Sequence, residues 1–342
     1  MSAADENGMT PLLVALLMNK PEIIKMLLQH KDIQANQHYA DDDTVLHYAV
    51  DFGYAECTKA LLTHTDISTN IQNKWHQTPL DDAISVGDTE CISALLCIHD
   101  RHTRSRDFFG KNILHSALSS AVSLEYLLST GLFNACECNS DRHNLLMSAA
   151  QNNCTASFFL LLNECCFILT AQDSTGETVM HAAILCSSPI VSIALVKRAS
   201  QLMNMQNKKG NTPLHSAVCS HTDDAEFILF THSALLINME NEDGETALHV
   251  AVQNQKVEHV RALIAREDAD VNVCDCKGRT PLHYAVSKKE KGREMTEALL
   301  SHKDIRVNIK DNEGKTPLAV LSESDLAEKD EIIRLLLLKG AT

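Results

Sequence analysis

The stretch Thr246–Val252, TALHVAV, with Asp243 and Gly244 just ahead of it, decides the fold. Thr246 has a hydroxyl suited to a helix N-cap, where a side-chain oxygen serves one of the amides that open a helix without a partner. Ala247, Leu248, Val250 and Ala251 then begin a short apolar helix. Near-copies stand on either side, TPLHSAV from Thr212 and TPLHYAV from Thr280. A unit recurring at a fixed interval sets the architecture before any single residue is weighed.

Working outward, the leading Thr or its replacement gives ten starts: Thr10, Thr44, Thr78, Asn112, Asn144, Thr178, Thr212, Thr246, Thr280 and Thr316. The interval is 34 residues, except 32 after Asn112 and 36 after Thr280. A second apolar helix follows each start, most visibly at Leu27-Leu28, Leu61-Leu62, Leu95-Leu96 and Leu299-Leu300. The expected units are residues 5–38, 39–72, 73–106, 107–138, 139–172, 173–206, 207–240, 241–274, 275–310 and 311–342. Each would bury its apolar face against its neighbours, so the 342 residues read as one elongated solenoid rather than two or three domains.

The pattern D-x-x-G-x-T-P-L-H-x-A, then a helix ending in two leucines, then Asp-Val-Asn, resembles the ankyrin repeat. The best copies are Asn241–Ala251, Asp275–Ala285 and Asp311–Leu318, with links at Asp270–Asn272 and Asp304–Asn308. Departures are Asp42, His76 and Arg142 at the glycine position, and Leu13, Asp81, Met147 and Ala319 at the histidine position. The resemblance implies an all-α repeat solenoid with short β-hairpins, an ankyrin repeat array. Its concave face would consist of hairpins and first helices, and protein partners would bind there. It also implies that His47, His115, His181, His215, His249 and His283 tether the hairpins by hydrogen bonds. Stacked units would set these histidines about 10 Å apart, too far for one ion whose ligand bonds are about 2 Å.

Several chemistries have no support in the sequence. No phosphate loop, nucleophile triad, H-E-x-x-H or nucleic-acid motif is present. Cys136-x-Cys138 and Cys274-x-Cys276 lack zinc-like C-x2-C spacing. The chain is expected to be no enzyme and to need no metal or cofactor. A net charge of −15 disfavours nonspecific contact with nucleic acid or anionic membrane. Lys288, Lys289, Lys291 and Arg293 form a local basic run, read as a solvated insertion. No apolar run approaches 18 residues, and twelve cysteines, several within helical segments, suit a reducing compartment. The expected setting is the cytoplasm or nucleus, with unconventional secretion left open.

Binding is expected at exposed tips. Trp75, Phe108 and Phe109 would lie side by side on adjacent hairpins, either meeting a partner or packing on each other. Tyr39 and Phe52 would extend that patch, and Asp41, Asp43 and Asp51 would give it an acidic rim. The partner is therefore expected to be a protein or peptide with a basic segment. The ends of first helices in the regular half, such as Gln253 and Asn254, offer a more polar surface. Leu335, Leu336, Leu337 and Leu338 cannot all point inward from one helix. Either more chain follows, or a partner covers that edge. A targeting segment of a larger enzyme, channel or effector and a self-assembling module are the competing functions.

Overall fold

The computed structural model describes residues 9–30, 33–98, 112–135, 138–164, 169–186, 188–219, 233–323 and 329–342. It has two compact parts, Met1–Ala149 with Ala156–Cys165, and Ala150–Thr155 with Cys166–Thr342. Helices run through the N-terminal part as α1 (Pro11–Leu17), α2 (Pro21–Leu28), α3 (Val45–Asp51), α4 (Ala55–Leu62), α5 (Pro79–Val86), α6 (Thr89–Ile98), α7 (Ile113–Ser116) and α8 (Ala121–Ser129). Around the division come α9 (Leu145–Gln151) and α10 (Thr155–Glu164). The C-terminal part holds α11 (Val179–Leu185), α12 (Pro189–Arg198), α13 (Pro213–Ala217), α14 (Ala247–Gln253), α15 (Val257–Ile264), α16 (Pro281–Ser287), α17 (Gly292–Ser301), α18 (Pro317–Ser322) and α19 (Lys329–Leu338).

Within each part the helices form two layers. First helices pack on first helices, α1 on α3 on α5 on α7, and α11 on α13 on α14 on α16 on α18. Second helices do the same, α2 on α4 on α6 on α8, and α15 on α17 on α19. The core lies between the layers. Leu46, Ala49, Leu61, Leu95, Ala251, Leu263, Ala285 and Leu299 are buried at 0–1% exposure. Small alanines on the first helices let the layers approach, and leucines on the second fill the gap.

One expectation is overturned: the β-hairpins do not form. Among the described residues there is no strand, only an isolated bridge between Cys138 and Asn144. A tight turn stands in place of each hairpin among the described residues. In Asn241–Glu245 the Asn241 amide donates to the Glu245 carbonyl at 2.9 Å, and the Gly244 amide donates to the Asn241 carbonyl at 2.9 Å. Asn241 Oδ1 accepts from the amides of Asp243 and Glu245 at 3.0 and 2.9 Å. The side chain thus occupies amides that a strand ladder would use. The remaining Glu242 amide donates to the Lys209 carbonyl of the preceding turn at 3.0 Å. The chain then enters a helix two residues later, before a second rung could form.

This turn-to-turn bonding explains the recurring glycine. Gly244 has φ +73, and a Cβ built there would lie 2.8 Å from the backbone nitrogen of Cys276 in the next turn. The left-handed conformation favours glycine, and the close backbone approach leaves no room for a side chain at Gly244. Asp42, His76 and Arg142 replace it and still adopt φ of 63, 60 and 61.

Five of the six histidines, His47, His181, His215, His249 and His283, work as the resemblance implied, whereas the Nε2 of His115 makes no such link. The Thr246 amide donates to His249 Nδ1 at 3.1 Å, and the Thr246 hydroxyl lies 3.0 Å from the same nitrogen. His249 Nε2 then donates to the Arg279 carbonyl at 3.1 Å, the residue ahead of the next Thr. His47, His181, His215 and His283 repeat the link to Gln77, Asn211, Glu245 and Lys315 at 2.9–3.2 Å. Where Asp81 replaces histidine, its Oδ2 accepts from the Thr78 amide and hydroxyl at 3.0 and 2.7 Å, which preserves the cap. Where Leu13 or Ala319 stands instead, the threonine hydroxyl accepts the N3 amide at 3.2 or 3.3 Å.

Candidate functional site

α3 has seven residues, so position 48 shares a side with positions 51 and 52 just past one turn. Tyr48 and Phe52 stack with 6.1 Å between ring centroids and 19° between planes. Tyr39, in the turn ahead, meets Tyr48 edge-on at 6.1 Å. Tyr54, just beyond α3, tilts against Phe52 at 5.5 Å. Four rings thus form one run, with Phe52 47% exposed. Pairs at this spacing add about 0.5–1.5 kcal/mol beyond burial. Tyr39 anchors the run through its hydroxyl, 2.5 Å from Thr10 Oγ1.

Trp75 stands at the tip of the next turn, 55% exposed. Lys74 Nζ lies 4.4 Å from its ring centroid and also pairs with Asp41. Phe108 and Phe109 lie outside the described residues, so the expected Trp75–Phe108–Phe109 contact is untested. Asp41 and Asp51 are exposed beside the rings, whereas Asp43 turns inward and is buried. Tyr48, Tyr54 and Asp82 join the site without having been among the binding residues expected from the sequence. The spacing of Tyr48 and Phe52 by four on a helix was the available signal.

Beneath the rings the electrostatics are acidic. Asp43, His47 and Asp82 are all buried, with one oxygen or nitrogen from each within 4.8 Å of the others. Burial, and then the charges of Asp51, Asp43 and Asp81, push Asp82 up to about 7. Burial, then Asp43, raises Asp51, with His47 opposing. Burial raises Tyr48, aided by Asp43, Asp41 and Asp51. Both nitrogens of His47 are already engaged, Nδ1 with Thr44 at 2.8–3.1 Å and Nε2 with the Gln77 carbonyl at 3.2 Å. The cluster therefore offers a pair of carboxylates more readily than a three-ligand metal set.

Elsewhere, Arg293 of the basic run pairs with Glu297 at 2.9 Å and Glu331 at 2.7 Å. On α19, Leu336 is buried while Leu337 and Leu338 are 53% and 84% exposed. In and just after α1, Val14, Leu17 and Met18 are exposed apolar groups, as are Ile23 and Met26 in α2. The described cysteines, from Cys57 to Cys276, are free thiols. No helix among the described residues is long and apolar enough to cross a membrane.

Known proteins place this arrangement. In fold the chain is similar to the ankyrin repeat domain of Bcl-3, described as a unique member of the IkappaB protein family, at 23% identity and a TM-score of 0.57. That match covers 66% of this chain and 99% of the other. An ankyrin repeat domain from Acinetobacter baumannii AYE is 26% identical with a TM-score of 0.52, covering 58% of this chain and 98% of the other. No curated protein sequence matches. The family model for ankyrin repeats in three copies matches residues 1–73, 31–107, 146–235, 230–311 and 269–342. With the period, the capped first helices and the histidine links, this shows that the chain belongs to the ankyrin-repeat family and is a protein–protein interaction module.

Proposed function

We propose that this protein captures a basic segment of a partner protein on the face made by Tyr39, Tyr48, Phe52 and Trp75, with Asp41 and Asp51 at its edge. One observation carries the reading: a run of partly exposed rings stands beside Asp51 and the buried Asp43 and Asp82, none of which forms an ion pair with a described lysine or arginine, whereas Asp41 pairs with Lys74. Aromatic faces attract cations, and desolvated pairs of this kind contribute about 2 kcal/mol or more. Carboxylates beside them add charge complementarity, which sets encounter rate and specificity. The free thiols support placing this activity in a reducing compartment, the cytoplasm or nucleus.

Trp75 is the single tryptophan, so intrinsic fluorescence reports on the face directly. A peptide of alternating arginine and alanine should change its emission saturably, and the effect should weaken with salt. Phe52→Ser should reduce the affinity while circular dichroism stays unchanged. Absence of binding at low salt would refute a basic partner. A second reading rests on Leu337 and Leu338, whose exposure supports contact through the α19 edge. Concentration-dependent sedimentation, abolished by Leu338→Glu, would support self-association there.

A further inference from the structure

Three carboxylates converge where α3 packs on α5. Asp43 precedes α3, Asp51 ends it, and Asp82 lies in the first turn of α5. Asp82 is 7% exposed, and its Oδ2 is buried without a hydrogen-bond partner. Asp43 is equally buried, and its Oδ1 accepts from Asn73 Nδ2 at 3.1 Å.

The same chain solves this position differently elsewhere. Asp43 and Asp82 are 39 residues apart, as are Glu245 and Tyr284. The Tyr284 hydroxyl lies 3.4 Å from Glu245 and donates to Asp275 at 2.6 Å, while Arg279 pairs with Asp275 at 2.9 Å. There an acid meets a donor and a cation. Between α3 and α5 an acid meets an acid.

The other groups near Asp82 do not relieve this. His47 is held by Thr44 and Gln77. Asp81, on the same helix, caps Thr78. Just ahead of α6, Asp88 accepts the amides of Glu90 and Cys91. From α7, His115 is tied to Asn112. All the charges acting on Asp82 are acidic. Neighbouring carboxylates out of water cannot all stay ionised, and the one with an unmade bond is where the proton rests.

We propose that Asp82 carries a proton in the free protein and releases it when a guanidinium or ammonium group of the partner settles against Asp51, under the Tyr48–Phe52 rings. This rests on the basic-segment reading above. In the exchange the Asp82 O–H bond breaks, the proton passes to buffer, and the incoming cation takes over its charge. Close to one proton leaves per complex below pH 6, and almost none above pH 8. With the free acid titrating at about 7, the affinity should be about tenfold higher at pH 8 than at pH 6.

The test has two arms on the full chain. Carboxyl 13C NMR of the free protein should show Asp82 titrating near neutrality, with the midpoint falling on addition of the arginine–alanine peptide. Peptide affinity, read by Trp75 fluorescence at fixed ionic strength, should show the tenfold pH effect in wild type and lose it in Asp82→Asn. If that variant does not fold, Asp51→Asn serves instead, because Asp51 is exposed. It should lower the Asp82 midpoint and shrink the pH effect. An Asp82 midpoint below pH 5 in the free protein overturns the inference. So does a midpoint that the bound peptide leaves unmoved, or a pH effect that survives the substitution. Asp82 titrating near neutrality with no peptide binding at either pH refutes the basic-segment reading, and the exchange falls with it.

Discussion

Replacing Gly244 by alanine separates two demands that the turn makes on one residue. The first is conformational. Gly244 has φ +73, where an L-residue costs about 1 kcal/mol or slightly more. The second is steric. The added Cβ would meet Cys276 N at 2.8 Å, Asp275 C at 3.1 Å and Asp275 Cα at 3.2 Å, all backbone atoms of the next turn. Backbone cannot swing aside as a side chain does, so the turns must separate and strain the Cys276 N–H to Asp243 carbonyl bond, now 2.9 Å. Overpacking of this kind costs about 1–3 kcal/mol. Gly314 is the internal control, with φ +80 and nothing within 4 Å of its built Cβ. Gly314→Ala should therefore cost about 1 kcal/mol and Gly244→Ala about 2–4 kcal/mol. Urea unfolding measures both, provided the slopes stay equal to wild type. Hydrogen exchange at the Cys276 amide gives the local readout and should accelerate only in Gly244→Ala. Equal costs in the two variants, or an unchanged Cys276 amide, would refute backbone stacking as the reason for the glycine.

Three further outcomes follow. Burial lowers His181 to about 4, so the folded state binds fewer protons than the unfolded state between that value and 6.5. Its stabilisation is complete above about 6.5 and is lost as pH falls toward 4, by about 3 kcal/mol, and thermal melts of wild type and His181→Gln should converge at acid pH. Asp82 has the opposite sign: its raised value means stability falls as pH rises through about 7. Wild type should lose about 1.4 kcal/mol relative to Asp82→Asn between pH 6 and 8 in urea melts. Replacing Trp75, Phe108 and Phe109 together with serine should weaken peptide capture by calorimetry with circular dichroism nearly unchanged; unfolding would show that these rings are core.

Most of the fold was legible because its signals are local and repeated. A threonine three residues before a histidine fixes the cap at five of the ten starts, and nearly one period later a carbonyl waits for the histidine's other nitrogen. The β-hairpins were misjudged because sequence shows where the chain reverses, not how many rungs it closes. Here the Asx side chain and the preceding turn take the amides first. The acidic rim was read in part. Asp41 and Asp51 lie outside, but nothing in a one-residue pattern says that Asp43 turns in. Its partner Asp82 stood 39 residues on, one period plus five, an offset visible only once Tyr284 and Glu245 show what it brings together. Tyr48 was the opposite case, passed over although its spacing to Phe52 by four on a helix marked an aromatic pair.

Amide hydrogen exchange of the full chain, with and without the arginine–alanine peptide, addresses the binding face most directly. The expected result is slowed exchange confined to the turn around Asp41, to Tyr48–Tyr54 and to the Trp75 turn, with the second helices α2, α4 and α6 unchanged. Protection centred on those second helices or on α19, with the Tyr48–Tyr54 segment unaffected, would contradict it.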